Sequence, residues 1–184
     1  MDQQTIEYLN AYEQRLMQDV LRLCRDLKLL DNRLLETPDI TDKWHDMAPE
    51  YVADAIKEFA KYPTVSLGWA MYIGMAVARY WDDDWAIYAA LPNLYLHIRD
   101  KRGFDYLDEV VRGDILGLKG EAFLTCEDQV RSCAQLVLDQ MRHEQIEPGS
   151  VMAFHVFARS IKVLYKIGAA VELRQLGYNL VAVG

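Results

Sequence analysis

An all-α fold, a bundle of six to seven helices forming a single domain over residues 1–184, is what this sequence predicts. Three observations lead there. Apolar residues recur at spacings of three and four almost throughout. The five prolines fall at the breaks between segments of helical length. No segment alternates apolar and polar residues between hairpin turns, with the last stretch, Leu180 to Val183, the nearest to a strand.

Residues 3–35 carry a heptad seam, with Ile6, Val20, Leu27 and Leu34 at position a and Leu9, Leu16, Leu23 and Leu30 at position d, broken only by Glu13. That predicts one helix of roughly 45 Å, long enough to pack along a bundle or against a second copy. Tyr8, Tyr12, Leu21, Leu29 and Leu35 lie off the seam and give the helix a second apolar face. Thr37-Pro38-Asp39 stops it, because the residue before a proline is pushed out of the helical region. Thr41 to Met47 makes one or two turns. Pro49 suits the first turn of a new helix, with Val52, Ile56 and Phe59 on its apolar face, ending at Tyr62-Pro63. Thr64 can cap a third, largely uncharged helix reaching about Ala90.

After the break at Pro92-Asn93, Asn93 is a fitting cap for a short helix from Leu94 to Lys101, closed by Gly103. Residues 104–116 keep helical spacing through Phe104, Leu107, Val110, Val111 and Ile115, and Gly117 and Gly120 form a loop. A helix over 121–145 presents Phe123, Cys126, Val130, Cys133, Val137 and Met141. Pro148-Gly149-Ser150 is a turn, and Ser150 caps a last helix to about Leu180 with Phe154, Phe157, Ile161, Leu164, Ile167 and Val171 as its seam.

Composition excludes several functional classes. With 52% hydrophobic and 26% charged residues the chain has material for a proper core, which excludes disorder. Three cysteines are too few and odd in number for a disulfide scaffold, and they fit a reducing, cytoplasmic setting. A net charge of -8 argues against nucleic acid and against anionic membranes, both of which call for a basic footprint. The polar start, Met1 to Thr5, lacks the basic and apolar regions of a secretion signal. The uncharged stretch from Tyr62 to Ala78 is interrupted by Pro63, Gly68 and Gly74 and is too short in apolar content to span a bilayer, so it reads as a buried core helix.

One constellation could carry chemistry, Arg79-Tyr80-Trp81-Asp82-Asp83-Asp84-Trp85. Ala70, Gly74, Ala78, Asp82, Ala86 and Ala90 form a ridge of small residues interrupted by Asp82, and such a ridge lets another helix approach closely. An ionised carboxylate inside that contact needs a cation or several donors. Asp82 is therefore expected either in a structural ion pair or in a cleft. In the second case Asp82, with Tyr72 or Asp84, faces His97 and the basic run Arg99, Lys101 and Arg102. Arg79, four residues before Asp83, makes an intrahelical pair with it. The candidate ligand-binding residues are thus Tyr72, Arg79, Asp82, Asp84, His97 and Arg99.

No metal or other cofactor is expected. No Glu stands three residues before any histidine, as di-iron bundles require, and Cys24, Cys126 and Cys133 lie far apart on apolar faces. No phosphate-binding glycine loop, nucleophile elbow or activated cysteine appears. Two functions follow as expectations. The first is association without catalysis, as a homodimer or an adaptor, through the seam of residues 3–35. The second is a small-molecule-binding, divalent-metal-binding or hydrolytic domain with its cleft around Asp82 and His97.

Overall fold

The computed structural model describes residues 1–179 as eight α-helices joined by turns and loops, with no strand among them. These are α1 (Gln3–Asp26), α2 (Pro38–Phe59), α3 (Pro63–Asp83), α4 (Trp85–Ala90), α5 (Leu94–Arg99), α6 (Leu107–Glu109), α7 (Gly120–His143) and α8 (Val151–Gln175). A 3-10 turn, Phe104–Tyr106, leads into α6, and a π-helix, Val110–Ile115, follows it, so the 104–116 segment is helical but not one regular helix. Leu180 to Val183, the nearest approach to a strand pattern, lies outside the described residues. No helix is long and apolar enough to cross a membrane among the described residues.

The expected single helix over 3–35 ends instead at Asp26. Lys28 turns left-handed, at φ 62°, so that the Leu29 amide reaches back to the Cys24 carbonyl and the Lys28 amide to that of Arg25. This is a Schellman termination built on lysine rather than glycine. Half of the seam is buried inside the chain, Leu9, Leu16, Val20 and Leu30 having 2% exposure or less, while Ile6, Leu23, Leu27 and Leu34 are partly exposed. Its break has a partner too, since Glu13 meets Arg159 at 3.3 Å and Lys162 at 3.4 Å on α8.

Pro49 does not start a helix; it sits within α2. It costs the His45 carbonyl a hydrogen bond but points to solvent, while Ile40, Trp44, Met47, Tyr51 and Ala55 run as an unbroken buried stripe beneath it. Burial of that stripe outweighs one lost bond. The third helix begins at Pro63, with Tyr62 rather than Thr64 in the cap position, and it stops at Asp83 rather than near Ala90. Asp84 leaves the helical conformation and caps α4 by accepting from the Ile87 amide at 3.3 Å. Two cap assignments match the structure: Asn93 accepts from the Leu96 amide at 3.1 Å and Ser150 from the Ala153 amide at 3.1 Å.

Helix α3 is the centre of the bundle. From Ser66 to Ala78 only Trp69 reaches solvent, and α2, α7 and α8 cover the rest. Against α8 it runs parallel, with Met71 beside Gly168, Gly74 beside Tyr165 and Ala169, and Arg79 beside Glu172. Gly74 and Gly168 lie so close to the facing backbone that a Cβ on either would overlap a carbonyl. The small-residue ridge therefore does its expected work at Ala70, Gly74 and Ala78. Polar atoms at this level are satisfied locally: the Tyr51 hydroxyl donates to the Ser66 carbonyl, the Ser66 hydroxyl to that of Ala55 and the Tyr165 hydroxyl to that of Ile40. Cys24, Cys126 and Cys133 are all buried and free, Cys24 touching Cys133 at 3.9 Å.

Candidate functional site

The six residues singled out from the sequence do not converge on one cleft. Asp82 is exposed, where a buried, cation-paired carboxylate was expected, and it accepts from the Tyr178 hydroxyl at 2.7 Å. Asp84 is used as the α4 cap. Arg79 does pair with Asp83 as expected, at 2.8 Å, and also reaches Glu172 at 3.4 Å. His97 packs edge-on against Tyr80, with ring centroids 5.9 Å apart, and burial together with Lys101 holds its pKa below the usual value. Arg99 ties α5 to α2 through Asp54 at 3.1 Å. Tyr72 lies toward α7, its ring 5.8 Å from the Arg112 guanidinium. Among the described residues no group of three or more His, Cys, Asp or Glu is placed to hold a metal ion.

Two buried charges escaped the reading of the sequence. Glu172, only 6% exposed, is the carboxylate that enters the α3–α8 crossing. Burial pushes it up to about 7, and Arg79 only partly opposes that. Arg112, on the π-helix, is 2% exposed. Its guanidinium stacks 3.9 Å from the Phe123 centroid and bonds Asp108 at 3.0 Å, Glu127 at 3.4 Å and the Phe123 carbonyl at 3.0 Å. Its ion pairs hold the π-helix to α7, a structural use. Asp108 four residues before Arg112, inside an apolar run, was the one signal that could have flagged it.

The feature with the geometry of a binding site is an apolar groove at one end of the bundle. The last turns of α2 supply Ile56, Phe59 and Ala60, and Pro63 opens α3 beside them. Across the groove stand Leu138, Met141 and Arg142 from the end of α7 and Ala153, Phe154, Val156 and Phe157 from the first turns of α8. The α7–α8 turn closes one side through Gln145, Ile146 and Pro148 to Ser150. Gln145 and Gly149 both take positive φ there, 53° and 79°, which lets the chain reverse between the two helices.

The groove has a volume of about 820 Å³, within the roughly 300–1,000 Å³ range of small-molecule sites. Phe59 and Phe157 meet edge to face in its wall at 5.2 Å, while Ile56 and Phe154 stay 43% and 42% exposed. Another depression, of about 680 Å³ between α1 and α7, is shallow and edged by Asp19, Arg22, Asp26, Arg131 and Asp139, charges that water already solvates. An apolar hollow gains far more from an occupant than a charged one. Comparison with protein-family models, with curated proteins and with solved structures finds no match for the chain.

Proposed function

We propose that this chain acts by binding, without catalysis, and that it takes an elongated apolar ligand into the groove between the ends of α2, α7 and α8. One observation carries the reading. The groove is lined almost wholly by aliphatic and aromatic side chains, and among the described residues its lining holds no carboxylate, imidazole, thiol or amine side chain to serve as a general acid, base or nucleophile of the usual kinds. Ala153 lies in the lining and is half-buried, so Ala153→Trp fills the groove from α8 without entering the core. A neutral solvatochromic dye is expected to bind the native chain saturably, and Ala153→Trp to weaken it at least tenfold with little change in melting temperature. Absence of saturable binding, or equal binding by the variant, overturns the proposal.

Association with another protein is a second reading, favoured by the exposure of Phe154 in the groove wall and of Val151 in the first turn of α8. The seam of residues 3–35 adds less to it, since Leu9, Leu16, Val20 and Leu30 are buried within the chain and Ile6, Leu23, Leu27 and Leu34 are only partly exposed. A dimer in light scattering at tens of micromolar that Ala153→Trp dissociates would favour this reading; a strict monomer removes its homodimeric form.

A further inference from the structure

We infer that the ligand of this groove is a long-chain carboxylic acid, its tail along the apolar walls and its carboxylate on Arg142; the inference rests on the groove reading. Charge complementarity selects the head group. The chain carries 28 acidic and 20 basic residues, yet the described residues lining its apolar groove include no acid and a single base. Arg142 is exposed and makes no ion pair among the described residues, unlike Arg15, Arg79, Arg99, Arg112, Arg131 and Arg159, each of which has a carboxylate within 3.4 Å. A guanidinium without a partner at the mouth of an apolar hollow presents a planar fork that one carboxylate fills with two charge-assisted hydrogen bonds.

A second feature has the same sign. Helix α8, 25 residues long, begins in the groove at Ser150 and Ala153 and has no acidic residue in its first turn. The Ser150 hydroxyl caps one first-turn amide, but no side-chain charge of the chain's own offsets the positive end of its dipole where the head group would lie. Gln145 and Ser150 add neutral hydrogen-bonding groups beside it. A cationic amphiphile finds no carboxylate in this lining. A phosphate head, with up to two charges, calls for more cations than the single one offered.

The test uses the full chain and three probes of equal tail length below their micelle concentrations: dodecanoate, 1-dodecanol and dodecyltrimethylammonium. Calorimetry or dye displacement is expected to rank dodecanoate at least tenfold above 1-dodecanol, with the cation weakest. Arg142→Gln should bring dodecanoate down to the level of the alcohol and leave both the alcohol's affinity and the melting temperature unchanged. Arg33→Gln, at another exposed arginine without an ion pair among the described residues, should leave the ranking intact. If native protein binds acid and alcohol alike, or if Arg142→Gln preserves the preference, the head-group assignment falls while the groove reading stands. If none of the three probes binds, the groove reading falls and takes this one with it.

Discussion

Glu172 shows most directly what a single residue does in this bundle. A glutamate whose carboxyl is pushed from 4.5 up to about 7 by burial holds its proton more tightly folded than unfolded. The folded state then binds more protons than the unfolded state between those two values, so stability falls as pH rises through that window and is level above it. Over this span the loss is on the order of 3 kcal/mol, taking about 1.4 kcal/mol per pH unit. Glu172→Gln keeps an oxygen for the Arg79 guanidinium, now 3.4 Å away, and removes the ionisation. Melting curves from pH 5 to pH 8 should show the variant gaining on the native chain by several degrees as pH rises. A gap that stays constant, or that closes, contradicts the assignment. The sequence made the physics of this site legible but not the residue. Ala70, Gly74 and Ala78 announce a close crossing, and a carboxylate does enter it, but from α8. Asp82 continues the ridge in spacing only, because α3 ends at Asp83 and the position is already in solvent.

Among the elements, the pairing of α3 with α8 has the tightest tolerance. Gly74 faces the Tyr165 carbonyl and the Ala169 amide, and Gly168 faces the Met71 carbonyl, so an added methyl meets backbone rather than a side chain that can swing aside. Gly74→Ala and Gly168→Ala, which would each gain about 1 kcal/mol of helix propensity at an unconstrained site, should instead lose about 3 kcal/mol or more by forcing the helices apart. Urea unfolding measures this directly, and a neutral or stabilised variant would show that the helices do not approach so closely. Helix ends were less legible than helix faces for reasons visible in single residues. Termination of α1 at Lys28 uses a left-handed lysine, and nothing in a lysine announces that conformation. Pro49 looks like a beginning because proline is welcome in a first turn. The stripe Trp44, Met47, Tyr51, Ala55 passes beneath it at spacings of three and four and was the contrary signal. Where asparagine or serine made the boundary, as at Asn93 and Ser150, sequence and structure agree, whereas the helix expected to reach Lys101 before Gly103 ends at Arg99 with Asp100 as its cap.

At the scale of the molecule, the bundle separates a rigid centre from an open end. Phe59, Met141 and Phe157 have the same helical spacing as any core seam, so no pattern in the sequence distinguishes the groove's walls from the interior; what opens the groove beside them is that α2 and α7 end just there and the Gln145 to Ser150 turn does not cover the gap. The centre is built differently. Met71 to Ala78 and Val163 to Leu173, apart from Lys166, are buried on both helices and pack backbone to backbone. Amides there can exchange with solvent only when the whole bundle opens, whereas those of the α7–α8 turn need only a local opening, since few of its side chains are buried. Native-state hydrogen exchange is therefore expected to place the slowest amides in those two central segments, at the free energy of global unfolding, and much faster ones from Glu144 to Met152. Saturation with a groove ligand should slow the second group markedly, by closing the open end. It should slow the first only by the amount that ligand binding adds to overall stability. Equal protection of both groups in the free protein would mean that the end of the bundle is as closed as its middle, and a preformed groove could not then be the binding site.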